Sequence, residues 1–165
     1  MATGIEGANV IITNPRGQIL LFLRDDKPDI PFPNSWALPG GHVEPGETPL
    51  ACLVREIDEE MCVQLDPATP TLLCSRLRPW GMLEHTFTTM LDLDLDRIVL
   101  TEGQQLGWFG ATDIATIRLG FEEHDLLTEY FTQLRVTAVD LGQRAVQARV
   151  GCVAHHRILL GNPRH

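Results

Sequence analysis

Between positions 48 and 63 the apolar side chains Leu50, Leu53, Val54, Ile57 and Met61 recur at helical spacing. They predict an amphipathic helix with one face in a core. Thr48 suits the N-cap, and Pro49 suits the first helical position, where its missing N–H costs nothing. Elsewhere the pattern is one of strands. Residues 8–13 are apolar and β-branched, residues 18–23 repeat that character, and Asn14-Pro15-Arg16-Gly17 between them is a turn signal, so the pair reads as a hairpin. Trp36-Ala37-Leu38-Pro39 is a short extended segment that delivers the chain to Gly40, and Trp36 reads as core packing. After a break at residues 66–70, residues 71–78 and 85–95 read as two more strands, with Thr86, Thr88, Leu91, Leu93 and Leu95 in the second. Trp108-Phe109 is a further short strand, 112–114 a helical turn, and 122–134 an amphipathic helix through Leu126, Leu127, Tyr130, Phe131 and Leu134.

Length and composition add boundaries to this picture. A chain of 165 residues, 44% hydrophobic and 21% charged, suits one globular domain with a real core. The formal net charge is −9, and after Arg135 there is one Asp against four Arg. An acidic domain with no basic, aromatic-interleaved stretch is a poor partner for large nucleic acid. No apolar run approaches a membrane span, and MATGIEGAN lacks the basic and apolar regions of a signal peptide. Cys52, Cys62, Cys74 and Cys152 form no C-x-x-C pair and suggest neither a zinc site nor a disulfide framework, so a cytoplasmic setting is expected.

The polar face of the first helix carries the candidate chemistry. Glu56, Glu59 and Glu60 stand at i, i+3 and i+4, with Asp58 nearby and Arg55 as the only cation in the helix. Like charges at this spacing repel by a few tenths of a kcal/mol per pair. Helix spacing alone fits two readings: a solvated acidic face, or a site for a hard divalent cation that takes carboxylate oxygen. Asp92, Asp94 and Asp96 alternate and so share one face, which fits a second metal cluster or, more commonly for such alternation, the solvent side of a strand. The charged, proline-rich loop 24–34 has the length of a functional loop or of a surface connection.

The larger pattern around this helix settles on one family. GGHVEPGETPLACLVREIDEEMCV resembles the Nudix box, G-x5-E-x7-R-E-U-x-E-E-x-G-U with U aliphatic. Gly41, Glu47, Arg55, Glu56, Ile57, Glu59, Glu60 and Val63 match, and Cys62 stands where the family has its last Gly. A Gly there would fit a left-handed helix cap, and Cys in that conformation costs about 1–2 kcal/mol. The resemblance implies an α/β fold, a mixed β-sheet sandwiched between helices. It assigns residues 1–135 to the Nudix domain and leaves 136–165 as a C-terminal tail: a further helix, a basic arm or a dimer contact.

The resemblance also implies an enzyme: a MutT-like Nudix pyrophosphohydrolase that cleaves a nucleoside diphosphate derivative with Mg²⁺ or Mn²⁺. Glu56, Glu59 and Glu60 would hold the cations, with the Gly40 carbonyl as a further ligand. Arg55 would orient a carboxylate, with Glu47 its partner. Glu102-Gly103-Gln104 resembles a loop segment of MutT-type members and offers Glu102 as metal ligand or general base. Gly41, His42 and Glu44 are candidate substrate contacts; His85 and His124 are weaker candidates. The expected substrate is a nucleoside triphosphate, oxidised or not. ADP-ribose or a nucleotide sugar is the alternative, since Pro79 lies 16 residues past Val63, a mark of ADP-ribose hydrolysing members. A non-catalytic nucleotide-binding Nudix module is the third reading, and a homodimer is compatible with the family.

Overall fold

The computed structural model describes residues 4–157. Among them, seven strands form one sheet: β1 (Glu6–Thr13), β2 (Ile19–Leu23), β3 (Trp36–Ala37), β4 (Gly40–His42), β5 (Thr71–Leu77), β6 (Leu83–Met90) and β7 (Gln105–Phe109). The strand order is β3-β2-β1-β6-β5, with β4 also paired to β1 and β7 to β2. β1 and β6 run parallel from Glu6 opposite Leu83 to Thr13 opposite Met90, and the other pairs are antiparallel. The sheet is therefore mixed. A parallel pair needs a long crossover, and α1 (Pro49–Met61) lies within it.

Strand alternation decides where the core sits. Ala8, Val10 and Ile12 of β1 share a buried cluster with Leu20, Cys52, Leu53, Ile57, Met61 and Phe87, so this side of the sheet receives α1. Asn9 and Ile11 alternate to the opposite side. The predicted hairpin turn forms as expected: the Asn14 side-chain carbonyl accepts from the amides of Arg16 and Gln18, both at 3.0 Å. Pro79 and Trp80 are the central residues of a turn closed by Gly81 N–H on Arg78 O at 2.9 Å.

Four elements add to or differ from the pattern reading. Gly40-Gly41-His42, where the extended segment ends, is itself a strand, paired to β1 from Asn9 opposite Gly40 to Gly7 opposite His42. Only glycine allows this, because a Cβ at Gly40 (φ +144°) would lie 2.1 Å from Ala8 O. β6 stops at Met90 instead of continuing to 95. Its partner β1 ends at Thr13, whose carbonyl takes the Leu91 amide at 3.0 Å, and among the described residues no strand lies alongside beyond that point. Leu95–Arg97 is a 3₁₀ turn whose cap, Asp94, accepts from the Asp96 amide at 3.2 Å, so the three aspartates do not line a strand face. β7 extends the predicted Trp108-Phe109 back to Gln105.

The chain divides into two compact units between His124 and Asp125. The second holds most of α3 (His124–Arg157), which carries Leu126, Leu127, Tyr130, Phe131 and Leu134 at helical spacing and Asp125 in its first turn. The helix continues through position 136; residues 158–165 of the expected tail lie outside the described residues. Among the described residues, no helix is long and apolar enough to cross a membrane.

Candidate active site

Helix α1 is fixed at both ends in ways that aim its acidic face. Thr48 has extended backbone and its hydroxyl accepts the Ala51 amide at 3.1 Å, with Pro49 following. At the other end Cys62 is left-handed (φ 52°, ψ 34°) and gives its N–H to Asp58 O at 2.8 Å. Cys62 thus adopts the conformation expected of the family's glycine, carrying the cost of a side chain there.

Arg55 is the hub beneath this face. Its Nε and Nη2 donate to Glu47 Oε1 and Oε2, both at 3.0 Å, a two-point pair. Nη1 donates to Glu56 Oε1 at 2.8 Å and Glu59 Oε2 at 3.1 Å, and Nη2 also reaches His42 O at 3.2 Å. The guanidinium bonds hold the Glu47 carboxyl below its usual range and push Arg55 further up. Glu47 in turn takes the Glu44 amide at 3.0 Å, closing the loop 44–47. One guanidinium therefore ties the strand after Gly40, the loop and the helix into a single rigid piece. Gly41 completes the fit: a Cβ there would lie 2.2 Å from Glu56 Oε1, so glycine lets this carboxylate lie against the strand.

Glu60 is the buried member of the face, 7% exposed. Burial, then the nearby charges of Glu102 and Glu56, push its carboxyl up to about 8, while the Gly40 amide bonds to it and partly offsets the rise. Glu102 arrives from a loop far away in sequence. Thr101 donates its N–H to Glu60 O at 2.9 Å and its hydroxyl to Glu59 O, satisfying the last helix carbonyls. On the other side Gln104 N–H bonds Leu23 O at 2.8 Å, and its side chain bonds Arg24 O at 2.7 Å. The loop is clamped between the helix end and β2, with Glu102 between the clamps.

A cavity of about 400 Å³ gathers these groups. Gly40, Gly41, His42, Glu44, Glu56, Glu60 and Glu102 line it, all of them expected from the sequence. Glu47, Arg55 and Glu59 do not line it. Glu47 and Arg55 stand behind as support, and the Glu59 side chain, 61% exposed, lies on the outer flank against Arg55. Among the described residues, no three Asp, Glu, His or Cys side chains are drawn together into a ready-made cation cage. The donor chemistry nonetheless suits a hard divalent cation. Carboxylates of two segments face one space, with the charges of Glu102 and Glu56 adding to burial in raising the proton affinity of Glu60, and backbone oxygen is at hand.

The cavity also has walls that the pattern reading missed: Asn9, Arg24, Glu84, Phe121 and Glu123. Asn9 had a signal, as a polar residue inside an apolar strand. Glu84 read as a strand flank and Glu123 as a helix start, positions that are usually solvated. His85 lies elsewhere, its ring 2.8 Å from Ser75 Oγ and 3.2 Å from Glu6 Oε2.

Comparison with known proteins agrees with the fold. The NUDIX domain family model matches residues 5–130. The chain is 33% identical over 97 residues to the m7GpppN-mRNA hydrolase NUDT17 of Danio rerio, covering 59% of this chain and 31% of that protein. It is 40% identical over 70 residues to nucleoside triphosphatase NudI of Escherichia coli, covering 42% of this chain and 43% of that one. These matches span less than half the length of the curated relatives. Among solved structures, the MutT protein of Methanosarcina mazei superposes with a TM-score of 0.65 at 22% identity, over 79% of this chain and 94% of that one, which shows the shared α/β fold. A box helix, a glycine strand beneath it and a family match spanning most of the chain lead to one conclusion: the protein belongs to the Nudix family.

Proposed function

We propose that this protein is a divalent-metal-dependent pyrophosphohydrolase acting on a nucleoside triphosphate. The observation that carries the reading is the convergence of Glu56, Glu60 and Glu102, from a helix and a distant loop, on one cavity beside Gly40 and Gly41. Mg²⁺ or Mn²⁺ would be held by Glu56, Glu60 and the Gly40 carbonyl, with Glu59 joining from the flank as the family box implies. Bound there, the cation would neutralise the polyphosphate and polarise the attacking water.

The chain's own residues do the rest. Arg55, fixed by Glu47, keeps Glu56 and the His42 carbonyl in place. Glu102, held on a clamped loop, is positioned to take a proton from water. Water adds to phosphorus, one P–O–P bond breaks, and the nucleotide leaves as a monophosphate with pyrophosphate released. His42 and Glu44 face the same cavity from the glycine strand and the loop after it, as contacts for the polyphosphate end. The relative named nucleoside triphosphatase supports the triphosphate as substrate.

The test is a release screen with Mg²⁺ and Mn²⁺ over nucleoside triphosphates, oxidised dGTP, ADP-ribose, nucleotide sugars and capped RNA. Pyrophosphate from a triphosphate is the expected result. Faster release of monophosphates from ADP-ribose would move the substrate to the alternative class, and no turnover on the whole panel would overturn the enzyme reading.

A further inference from the structure

Outside the cavity, three strands bring a hydroxyl, an imidazole and a carboxylate into line. Ser75 of β5 stands opposite His85 of β6, and Glu6 begins β1, which runs parallel to β6. Ser75 Oγ lies 2.8 Å from His85 Nδ1, and His85 Nε2 lies 3.2 Å from Glu6 Oε2. A carboxylate only accepts, so Glu6 places the proton of the neutral ring on Nε2 and leaves Nδ1 to accept from the Ser75 hydroxyl. The imidazole is well covered, with 14% of its side chain exposed, while Ser75 is open to solvent. Strand register adds a further group. Arg78 N–H bonds Met82 O at 2.8 Å, so alternation along the ladder turns the Cys74 and Arg76 amides towards β6 and the Ser75 and Leu77 amides away from it. β5 is the last strand of the sheet, and among the described residues no strand takes those two amides. Ser75 therefore presents its own N–H beside its Oγ, as an oxyanion requires. Leu73 and Leu77, both exposed, flank it with apolar surface.

We propose that Ser75, His85 and Glu6 form a second, metal-independent site that hydrolyses carboxylic esters, with Ser75 as the nucleophile. Nucleophile and base stand within hydrogen-bond reach and a third group orients the base, which is the arrangement that activates a serine. Ser75 Oγ adds to the ester carbonyl carbon while its proton passes to His85 Nδ1, and Glu6 holds the imidazolium that results. The Ser75 N–H meets the oxyanion at the edge of β5. The bond from carbon to the alcohol oxygen then breaks, and His85 returns the proton to the departing alcohol. Water, giving a proton to His85, attacks the acyl group on Ser75 and frees the carboxylic acid, and the proton goes back to Oγ. Water is the only co-reactant. An apolar acyl chain fits the surface offered by Leu73 and Leu77.

The experiment follows p-nitrophenyl acetate and p-nitrophenyl hexanoate with the full-length protein, in Mg²⁺ and in chelator, beside labelling by a fluorophosphonate whose site is mapped by peptide mass spectrometry. The wild type is expected to release a burst of about one equivalent of p-nitrophenol per chain, at the same rate in Mg²⁺ and in chelator, and to carry the phosphonate on Ser75. Ser75→Ala should lose both burst and label. His85→Gln should slow the burst about 10²-fold or more, as loss of a general base does, and Glu6→Gln should slow it by less. Triphosphate hydrolysis should be unaltered in Ser75→Ala, since Ser75 stands outside the cavity. Thermal melts verify that the variants fold, and the mapped label on the wild type decides the nucleophile even if one of them does not. A wild type that neither bursts nor labels, a label on another residue, a rate that needs Mg²⁺, or an undiminished burst in Ser75→Ala, His85→Gln or Glu6→Gln overturns the assignment.

Discussion

Arg55 and Glu47 are joined through one guanidinium edge, Nε and Nη2, and both carboxylate oxygens, at 3.0 Å each, behind a cavity that neither lines. The pair is a brace: it holds the His42 carbonyl and the Glu56 carboxylate from the rear. Arg55→Lys keeps the charge and loses the fork, so it cannot serve four partners in the same plane. We expect a loss of about 1–3 kcal/mol in stability, read by denaturant unfolding, and a fall in kcat larger than any change in KM. A wild-type unfolding midpoint with unchanged kcat would contradict the bracing role.

Glu60 and Glu123 are both raised from 4.5 to about 8, chiefly by burial. Between those values the folded protein holds protons that the unfolded chain has released, so stability falls as pH rises and the loss is complete above about 8. The metal-free protein should therefore melt several degrees higher at pH 5.5 than at pH 8.5. Glu60→Gln and Glu123→Gln should each flatten that slope. Mg²⁺ should restore stability at pH 8.5 in the wild type and in Glu123→Gln, but much less in Glu60→Gln. Differential scanning fluorimetry with chelator or Mg²⁺ reads all of these.

What the sequence made legible followed from periodicity and from a fixed motif. The α1 face, its Thr48 cap and the carboxylates of Glu56 and Glu60 were all readable from spacing within one element. Glu102 was readable only through its local resemblance, since the clamps at Thr101 and Gln104 are long-range bonds. The end of β6 was not readable: residues 91–95 have strand character, but a strand persists only where a partner continues, and β1 does not. Glu84 and Glu123 were hidden for a related reason. A carboxylate becomes an interior group only through distant neighbours, here Arg76, the Leu38 amide and each other. Spacing also could not separate Glu59 from its neighbours, because i+3 and i+4 positions share a face until the packing of the cavity divides it.

Cys62 offers a gain in stability. Its left-handed backbone is strained for any residue with a Cβ, and it is exposed, so the side chain contributes little packing. Cys62→Gly relieves the strain but adds freedom to the unfolded chain. The net change should be a stabilisation of up to about 1 kcal/mol, a rise of a few degrees in Tm, with kcat and KM unaltered. A lower Tm would mean that Cys62 makes a contact worth more than the relief.

Glu102→Gln separates a working carboxylate from a bystander. Glu102 stands in the cavity with Glu56 and Glu60, and its loop is pinned by Thr101 to the helix end and by Gln104 to β2. The substitution keeps shape and leaves those backbone clamps in place, so folding should not change. If the carboxylate takes the proton of the attacking water, its loss should lower kcat about 10²–10⁴-fold while KM moves little, because the interaction is made mainly in the transition state. If it serves instead as a cation ligand, the Mg²⁺ concentration for half-maximal rate should rise, and saturating Mg²⁺ should recover much of kcat. Removing a like charge beside Glu60 should also ease that group's ionisation, shifting the acidic limb of the pH–rate profile to lower pH. A Glu102→Gln enzyme with wild-type kcat, Mg²⁺ response and pH profile would take Glu102 out of the site and leave Glu44 or His42, which line the same cavity, as the next candidate base.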